Sequence, residues 1–439
     1  MTNIALVVLD TLRKDAFDRH FEWLPGRRFE RAYTTANWTV PAHASLFTGR
    51  YGSEVGVHAK HLYCDCPEPT LAERLSEAGY TTRAFSANTN ITSHFEFDRG
   101  FTDFRTPELF EGQDDEDVFN WREFTKTTDA TGTRRYLSGV HDCITDDVKT
   151  LRSLLAGVRL KLSDGVGVEY GGTREALAEL RDVEFGDREF LFVNLMEAHE
   201  PYRAPEEYIT VEEPPLTNSI GDISLDEVDA ERTRRAYDDC TRYLSDVYRE
   251  LFDRLTAAFD YVITVSDHGE MLGEHGAWAH EHGVHPELTH VPLVISGDSL
   301  AGQDTGPTSL LDIHRTVLER AGVGGDSRGR DLLGDANDGG AGYLTEYHGL
   351  TSWSKRKLEA NGYGDRVEEY DAALFGYAAP TTYYGYETTA GFEETGTADT
   401  DDPRETLDRL VAARDVRRVE RENEVPEEIK DHLEHLGYA

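Results

Sequence analysis

Three uninterrupted apolar runs limit this chain of 439 residues more than any other feature: Asn3 to Asp10 (N-I-A-L-V-V-L-D), Phe190 to Leu195 (F-L-F-V-N-L) and Asp260 to Val265 (D-Y-V-I-T-V). A strand that is apolar at successive positions needs cover on both faces, and parallel sheets flanked by helices provide it. Each run leads directly into polar chemistry: Asp10, then Glu197-Ala-His199, then Ser266-Asp267-His268-Gly269-Glu270. In open α/β sheets ligands gather beyond the carboxyl ends of the strands, so Asp10, His199, Asp267 and His268 are candidate site residues. Helical signals lie between the runs. Thr70-Leu-Ala-Glu73 is a capping box before a helix stopped by Gly79, Asp229 to Ala258 repeats apolar residues at helical spacing, and Thr308 to Gly322 ends on glycine.

A further stretch, Asn37 to Val57 (N-W-T-V-P-A-H-A-S-L-F-T-G-R-Y-G-S-E-V-G-V), offers one hydroxyl at the mouth of a short helix. Pro41 suits a first turn, Ala42 to Phe47 propagate it and Gly49 stops it, which places Thr39 just outside the N-terminus. Unpaired N–H groups and the positive end of the helix dipole favour an anion there, such as a phosphate or sulfate ester. The alternative is that Thr39 only caps the helix.

This stretch resembles the signature of the sulfatase branch of the alkaline phosphatase superfamily, C-x-P-S-R-A-S-L-L-T-G-R. Thr39 stands at the nucleophile position, and Pro41, Ala44, Ser45, Leu46, Thr48, Gly49 and Arg50 follow the pattern in order. Thr39 replaces the Cys that becomes formylglycine in true sulfatases, and His43 replaces the supporting Arg. The resemblance recurs along almost the whole chain and implies an alkaline phosphatase-like α/β/α sandwich with a large mixed, mainly parallel sheet and a small C-terminal α+β subdomain.

The resemblance also implies roles. Asp10 corresponds to the family's first metal-binding Asp, although an Asp capping a turn is the plain alternative; Leu9 stands where sulfatases carry a second Asp. His199, in M-E-A-H-E-P-Y, matches the His delivered to the ester oxygens. Asp267 and His268, in D-H-G-E-M-L-G-E-H-G, are carried over as metal ligands together with Thr39. Asn88 lies where sulfatases hold sulfate, and His43 and Arg50 are further substrate-binding candidates. Six histidines, at 268, 275, 280, 282, 285 and 290, crowd a segment where even placement of the 17 would put about one. Counting back from Pro292 assigns His282 to the family's catalytic Lys or His position, with His280 as runner-up. An imidazole beside carboxylates suits Zn2+ or Mn2+ better than Ca2+, with Ca2+ and Mg2+ as alternatives; one site is expected and a second is left open.

Composition narrows the partners. The 84 acidic residues against 45 basic ones give a net charge of −39, which argues against nucleic-acid backbones and anionic membranes and for a salt-rich cytoplasm. Lysine contributes only eight of those cations. Cys64, Cys66, Cys143 and Cys240 read as ordinary thiols, and the first apolar run is too short for a signal peptide core or a membrane span, so a soluble, unexported protein is expected. Residues 1–335 are expected to form the catalytic domain, with 105–181 as a helical or lid insertion that includes a patch from Val148 to Leu162. Residues 336–439 are expected to form the small subdomain, with a sheet through Tyr343 to Tyr347 and Thr381 to Thr389 and helices near Arg404 to Arg417 and Glu427 to His435.

The expected activity is metal-dependent hydrolysis of small-molecule or glycan-linked phosphate or sulfate esters through a covalent intermediate on Thr39. Threonine cannot yield formylglycine, so its ester must be cleared by direct attack, which favours phosphate or phosphonate esters over sulfate esters. A sulfatase proper, a transferase to an alcohol acceptor and a non-catalytic binding protein are the competing readings.

Overall fold

The structure, a computed structural model, describes residues 2–107, 171–334, 342–398 and 402–419. Among these, nine strands form the main sheet: β1 (Ile4–Leu9), β2 (Arg27–Tyr33), β3 (Thr81–Ser86), β4 (Asp103–Arg105), β5 (Glu189–Leu195), β6 (Tyr261–Val265), β7 (His290–Val291), β8 (Leu293–Gly297) and β9 (Gly302–Ser309). Their order is β7-β2-β8-β6-β1-β5-β3-β4, with β9 also on β2. The centre, β6-β1-β5-β3, is parallel throughout; β8 runs antiparallel to both β6 and β2. The sheet is therefore mixed but mainly parallel.

The apolar runs explain the layering. Successive side chains of a strand alternate faces. Ile4, Leu6 and Val8 enter one core with Val40, Ala44 and Phe47 of helix Thr39–Thr48 and Ile313 and Val317 of helix Leu310–Ala321. Ala5, Val7 and Leu9 enter the other with Tyr237, Leu244 and Leu251 of helix Ala230–Thr256. All six β1 side chains are fully buried. At roughly 1.5–3 kcal/mol for each large apolar side chain, a charge introduced anywhere in β1 would be strongly destabilising.

Local chemistry sets the element ends. Thr70 Oγ1 accepts from Glu73 N (3.1 Å) while Glu73 Oε2 accepts from Thr70 N (2.7 Å), the reciprocal capping expected there. Gly49 adopts φ 67°, a left-handed conformation that glycine takes without strain, and ends helix Thr39–Thr48. Helix Thr39–Thr48 begins one residue earlier than expected, with Trp38 as its N-cap and Thr39 inside the first turn. The run V-P-L-V-I is split, because Pro292 lacks the N–H a ladder needs, so β7 and β8 pair with β2 on either side of it.

The small C-terminal sheet is four-stranded and antiparallel: β10 (Tyr343–Tyr347), β11 (Leu374–Ala378), β12 (Tyr384–Thr388) and β13 (Gly391–Thr395). Of these, β11 and β13 carried no sequence signal that separated them from turns. The expected helix near Arg404 is Pro403–Ala412. The patch Val148 to Leu162 and the helix Glu427 to His435 lie outside the described residues, as does most of 105–181; helix Thr173–Leu180 belongs to that segment. The sheet is joined to the loop before Thr39: Glu346 N donates to Thr35 O (2.8 Å), and Thr345 Oγ1 donates to Thr34 O (2.6 Å).

Candidate active site

Four strand ends converge. Asp10 follows β1, Asn194 lies within β5 and His199 just beyond it, Asn88 follows β3, and Asp267 and His268 follow β6. Helix Thr39–Thr48 delivers Thr39 to the same point, with Oγ1 3.2 Å from His268 Nε2. Ligand atoms of Asp10, Asp267 and His268 all lie within 4.8 Å of one another, and all three residues are fully buried.

The hydrogen bonds fix these groups. Asp10 Oδ1 accepts from Thr11 Oγ1 (2.8 Å), and Oδ2 accepts from Asn88 Nδ2 (2.9 Å) and Asn194 Nδ2 (3.3 Å). Asp267 Oδ1 accepts from the backbone N–H of Thr11 (3.2 Å) and of His268 (3.0 Å). His268 Nδ1 faces Gly269 O at 2.9 Å; a carbonyl can only accept, so Nδ1 carries the proton and Nε2 turns its lone pair toward Thr39. By the same reasoning His43 Nδ1–H donates to Thr39 O (2.9 Å), and Nε2 accepts from Asn194 Nδ2 (3.2 Å).

Electrostatics points to a cation. Burial alone would raise the Asp10 carboxyl, but His268, His199, His43 and the Thr11 hydroxyl hold it below its ordinary value. Burial and then the charge of Asp10 push Asp267 well above the ordinary carboxylate range. Asp267 Oδ2 is buried with no hydrogen-bond donor, 3.6 Å from both His43 Nδ1 and His268 Nε2. Burial drives His43 down to about 4, so that contact is not an ion pair. Two enclosed carboxylates, one with an unsatisfied oxygen, and an imidazole lone pair form a group that could hold a divalent metal, and one such ion would relieve the repulsion.

Beside this group stands a second set of imidazoles. The His280 ring centre is 4.6 Å from that of His268 and 5.1 Å from that of His199. His280 Nδ1 is 3.0 Å from Glu270 Oε1, whose Oε2 accepts from Tyr202 Oη (3.1 Å). Burial pushes Glu270 up to about 7 and His280 down to about 3, so at neutral pH the ring is uncharged and the carboxyl is near its midpoint. His199 donates through Nδ1 to Glu200 O, and burial followed by His280 lowers it to about 4. Asn37 Nδ2 donates to His280 O (2.7 Å), joining the nucleophile loop to the histidine loop. A cleft lined by Trp38, His199, Thr217, His280, Thr351 and Trp353 lies beside these rings.

Other residues singled out in the sequence stand differently. His282 turns away, packing against Tyr347 and Tyr370 with ring centres at 5.0 and 4.7 Å. Counting from Pro292 treated the loop as extended, whereas Ala279 (φ 59°) and Gly283 (φ 94°) bend it. Arg50 follows the C-terminal end of helix Thr39–Thr48, roughly 15 Å of helical rise from Thr39 and beside His314. Asn88 and His43 brace Asp10 and Thr39: Asn88 Oδ1 also accepts from Asn90 N (2.8 Å). Arg13 and Asp15, just beyond β1, form a buttress, Arg13 pairing with Asp15 and Glu274 and donating to Glu270 O (each 2.9 Å). Sequence reasoning gave no role to Asn194 or Glu270. Asn194 had a signal, as the one polar residue inside an apolar strand.

A family model for Sulfatase matches residues 20–323. No curated protein sequence matches the chain. Among solved structures, the phosphonate monoester hydrolase of Silicibacter pomeroyi is 18% identical with a TM-score of 0.60, covering 99% of this chain and 96% of its own. A 2-O GAG sulfatase is 15% identical with a TM-score of 0.57, covering 99% and 92%. A protein in the alkaline phosphatase superfamily from Vibrio parahaemolyticus is 15% identical with a TM-score of 0.50, covering 98% and 84%. Identities this low report the shared fold, while the matched family model spans most of the chain. With the mixed sheet and the strand-end site, this shows that the chain belongs to the sulfatase family, ester hydrolases of the alkaline phosphatase superfamily.

Proposed function

We propose that the protein hydrolyses phosphate or phosphonate esters, with Thr39 as the nucleophile, in preference to sulfate esters. The observation that carries this reading is the Thr39 hydroxyl, 3.2 Å from His268 Nε2 at the edge of the Asp10–Asp267–His268 group. A divalent ion held by Asp10, Asp267, His268 and Thr39 would lower the hydroxyl pKa and offset charge on the ester; two carboxylates and an imidazole favour Mn2+ or Zn2+. His43 fixes the backbone of Thr39 from beneath, and Asn88 and Asn194 hold Asp10 in register. Thr39 Oγ1 attacks phosphorus as the P–O bond to the alcohol breaks and the hydroxyl proton passes to the departing oxygen; water then attacks phosphorus and the P–O bond to Thr39 breaks, returning the hydroxyl. His199 and His280, neutral at pH 7 and beside the Asp10–Asp267–His268 group, are suited to take the proton of that water. The role expected of His282 passes to His280 in this scheme. Trp38 and Trp353 supply apolar walls for the leaving group, which suits a small-molecule or glycan-linked ester.

The net charge of −39 supports function in a salt-rich cytoplasm. Among the described residues no helix is long and apolar enough to cross a membrane. The reading is tested with matched aryl phosphate, phosphonate and sulfate esters supplied with Mn2+ or Zn2+ in high salt. Faster turnover of the phosphorus esters, lost in Thr39→Ala, is expected. An aryl sulfate cleaved faster than its phosphorus counterparts overturns the preference, and an active Thr39→Ala overturns the nucleophile.

A further inference from the structure

Of the clustered histidines outside the catalytic group, two stand together. His275 lies in the turn between the paired segments Met271–Leu272 and Trp278–Ala279, and His285 is the N-cap of the short helix Pro286–Thr289. Glu287, two residues after His285, completes a group whose ligand atoms, one from each residue, all lie within 4.8 Å of one another. The two rings stack with centres 4.7 Å apart. His275 Nε2 is 3.9 Å from Glu287 Oε1.

We infer that His275, His285 and Glu287 form a second metal site, distinct from the catalytic one, that takes Zn2+ or a similar borderline cation. Two unsatisfied atoms carry the inference beyond proximity: His285 Nδ1 and Glu287 Oε2 are both buried without a hydrogen-bond partner. Buried polar atoms usually find partners, and a cation would satisfy both. Burial and the adjacent His275 ring push His285 down to about 4, so its ring is neutral at pH 7 and can coordinate. Two imidazoles and one carboxylate match the three-protein-ligand pattern of open zinc sites, with water in the fourth position. Around tetrahedral zinc, ligand atoms stand about 3.3 Å apart, so the group needs a contraction of up to about 1.5 Å. Side-chain rotation can supply this, since the His275 side chain is 41% exposed and that of Glu287 24%. The same exposure gives the ion a route in. Imidazole nitrogen disfavours Ca2+ and Mg2+ at this position.

The ion would clip two loops together. One continues from Asp267 and His268, and the other leads into β7; Gly269 N already donates to Leu288 O across them (2.8 Å). The ion would thus tie the loop that carries the strand-end ligands from outside the catalytic group.

Metal content tests this independently of which ester is hydrolysed. The purified chain is stripped with chelator, dialysed against micromolar free Zn2+ in high salt and assayed for zinc per chain. Two equivalents are expected for the wild type and one for Asp267→Ala. One is expected for the double variant His275→Ala/His285→Ala, and none when all three changes are combined. Cobalt substitution in Asp267→Ala is expected to give visible absorption bands that Glu287→Gln weakens, which covers a double variant that fails to fold. Zinc is also expected to raise the thermal midpoint of Asp267→Ala by several degrees. Two equivalents retained by His275→Ala/His285→Ala, or no zinc bound by Asp267→Ala, overturns the site.

Discussion

The Thr39 hydroxyl oxygen lies 3.2 Å from His268 Nε2, and the Nδ1 proton of His268 is committed to Gly269 O at 2.9 Å. The lone pair of the imidazole is thereby directed at the proposed nucleophile by a backbone carbonyl. Thr39→Ala is expected to reduce kcat/KM for an aryl phosphate by at least about 10³-fold with thermal stability little changed. Thr39→Ser, which keeps the hydroxyl, is expected to retain measurable activity. Equal losses in the two variants would mean that the methyl group, and so packing, matters more than the oxygen.

Asp267 carries the unsatisfied oxygen, so Asp267→Ala is expected to lose one metal equivalent and essentially all turnover. It is also expected to gain stability in the metal-free state, because one member of a buried like-charged pair is gone. Calorimetry of the chelated proteins reads this sign directly. A metal-free Asp267→Ala less stable than metal-free wild type would contradict the repulsion argument.

Asn194 sits between Asp10 Oδ2 and His43 Nε2. Asn194→Leu removes the donor from both and is expected to weaken metal affinity by about 10- to 100-fold. Isothermal titration with Mn2+ checks it; unchanged affinity would leave Asn194 a packing residue.

Glu346 gives a pH prediction. Burial opposes its ionisation, but His348, Arg414 and Ser53 lower its pKa to about 2. The folded value lies below the unfolded one, so the carboxylate adds stability that is fully present above about pH 4.5 and is lost as pH falls toward 2, on the order of 3 kcal/mol in all. Glu346→Gln is expected to flatten the stability profile in that window and leave its shape unchanged near neutrality. Urea midpoints measured from pH 6 to pH 3 decide it.

Salt dependence follows from the −39 charge. Lowering KCl from 1 M to 0.1 M lengthens the Debye length from about 3 to about 10 Å. Cooperative structure is expected to weaken across that range, seen as a falling thermal midpoint. A constant midpoint would show that self-repulsion is balanced within the fold.

The central strands were legible because apolar runs of that length have few other uses, and a charged residue at the end of such a run marks a strand end. Asp10, Asp267 and His268 were marked for that reason, and Thr39 by the helix that it opens. His280 and His282 could not be ranked by spacing, since two left-handed residues in the loop decide which ring faces inward, and their conformations are not written in a residue count. Arg50 fitted a linear pattern whose two ends are separated by a whole helix. The inner strand β2 and the edge strand β9 are rich in polar residues, so no apolar run marks either of them.

The lead-in to Thr39 has its partners far along the chain: Thr34 and Thr35 are closed by Thr345 and Glu346, with Thr345 lying 311 residues from Thr34. Contacts of such sequence separation form late, because their loop-closure entropy must be met before they give anything back. A nascent chain therefore cannot settle Thr39 when helix Thr39–Thr48 emerges. Thr39 acquires its final support only once β10 has been synthesised and docked, so C-terminal truncations before Tyr343 are expected to yield chains that hold much of the sheet yet have an unsupported loop before Thr39.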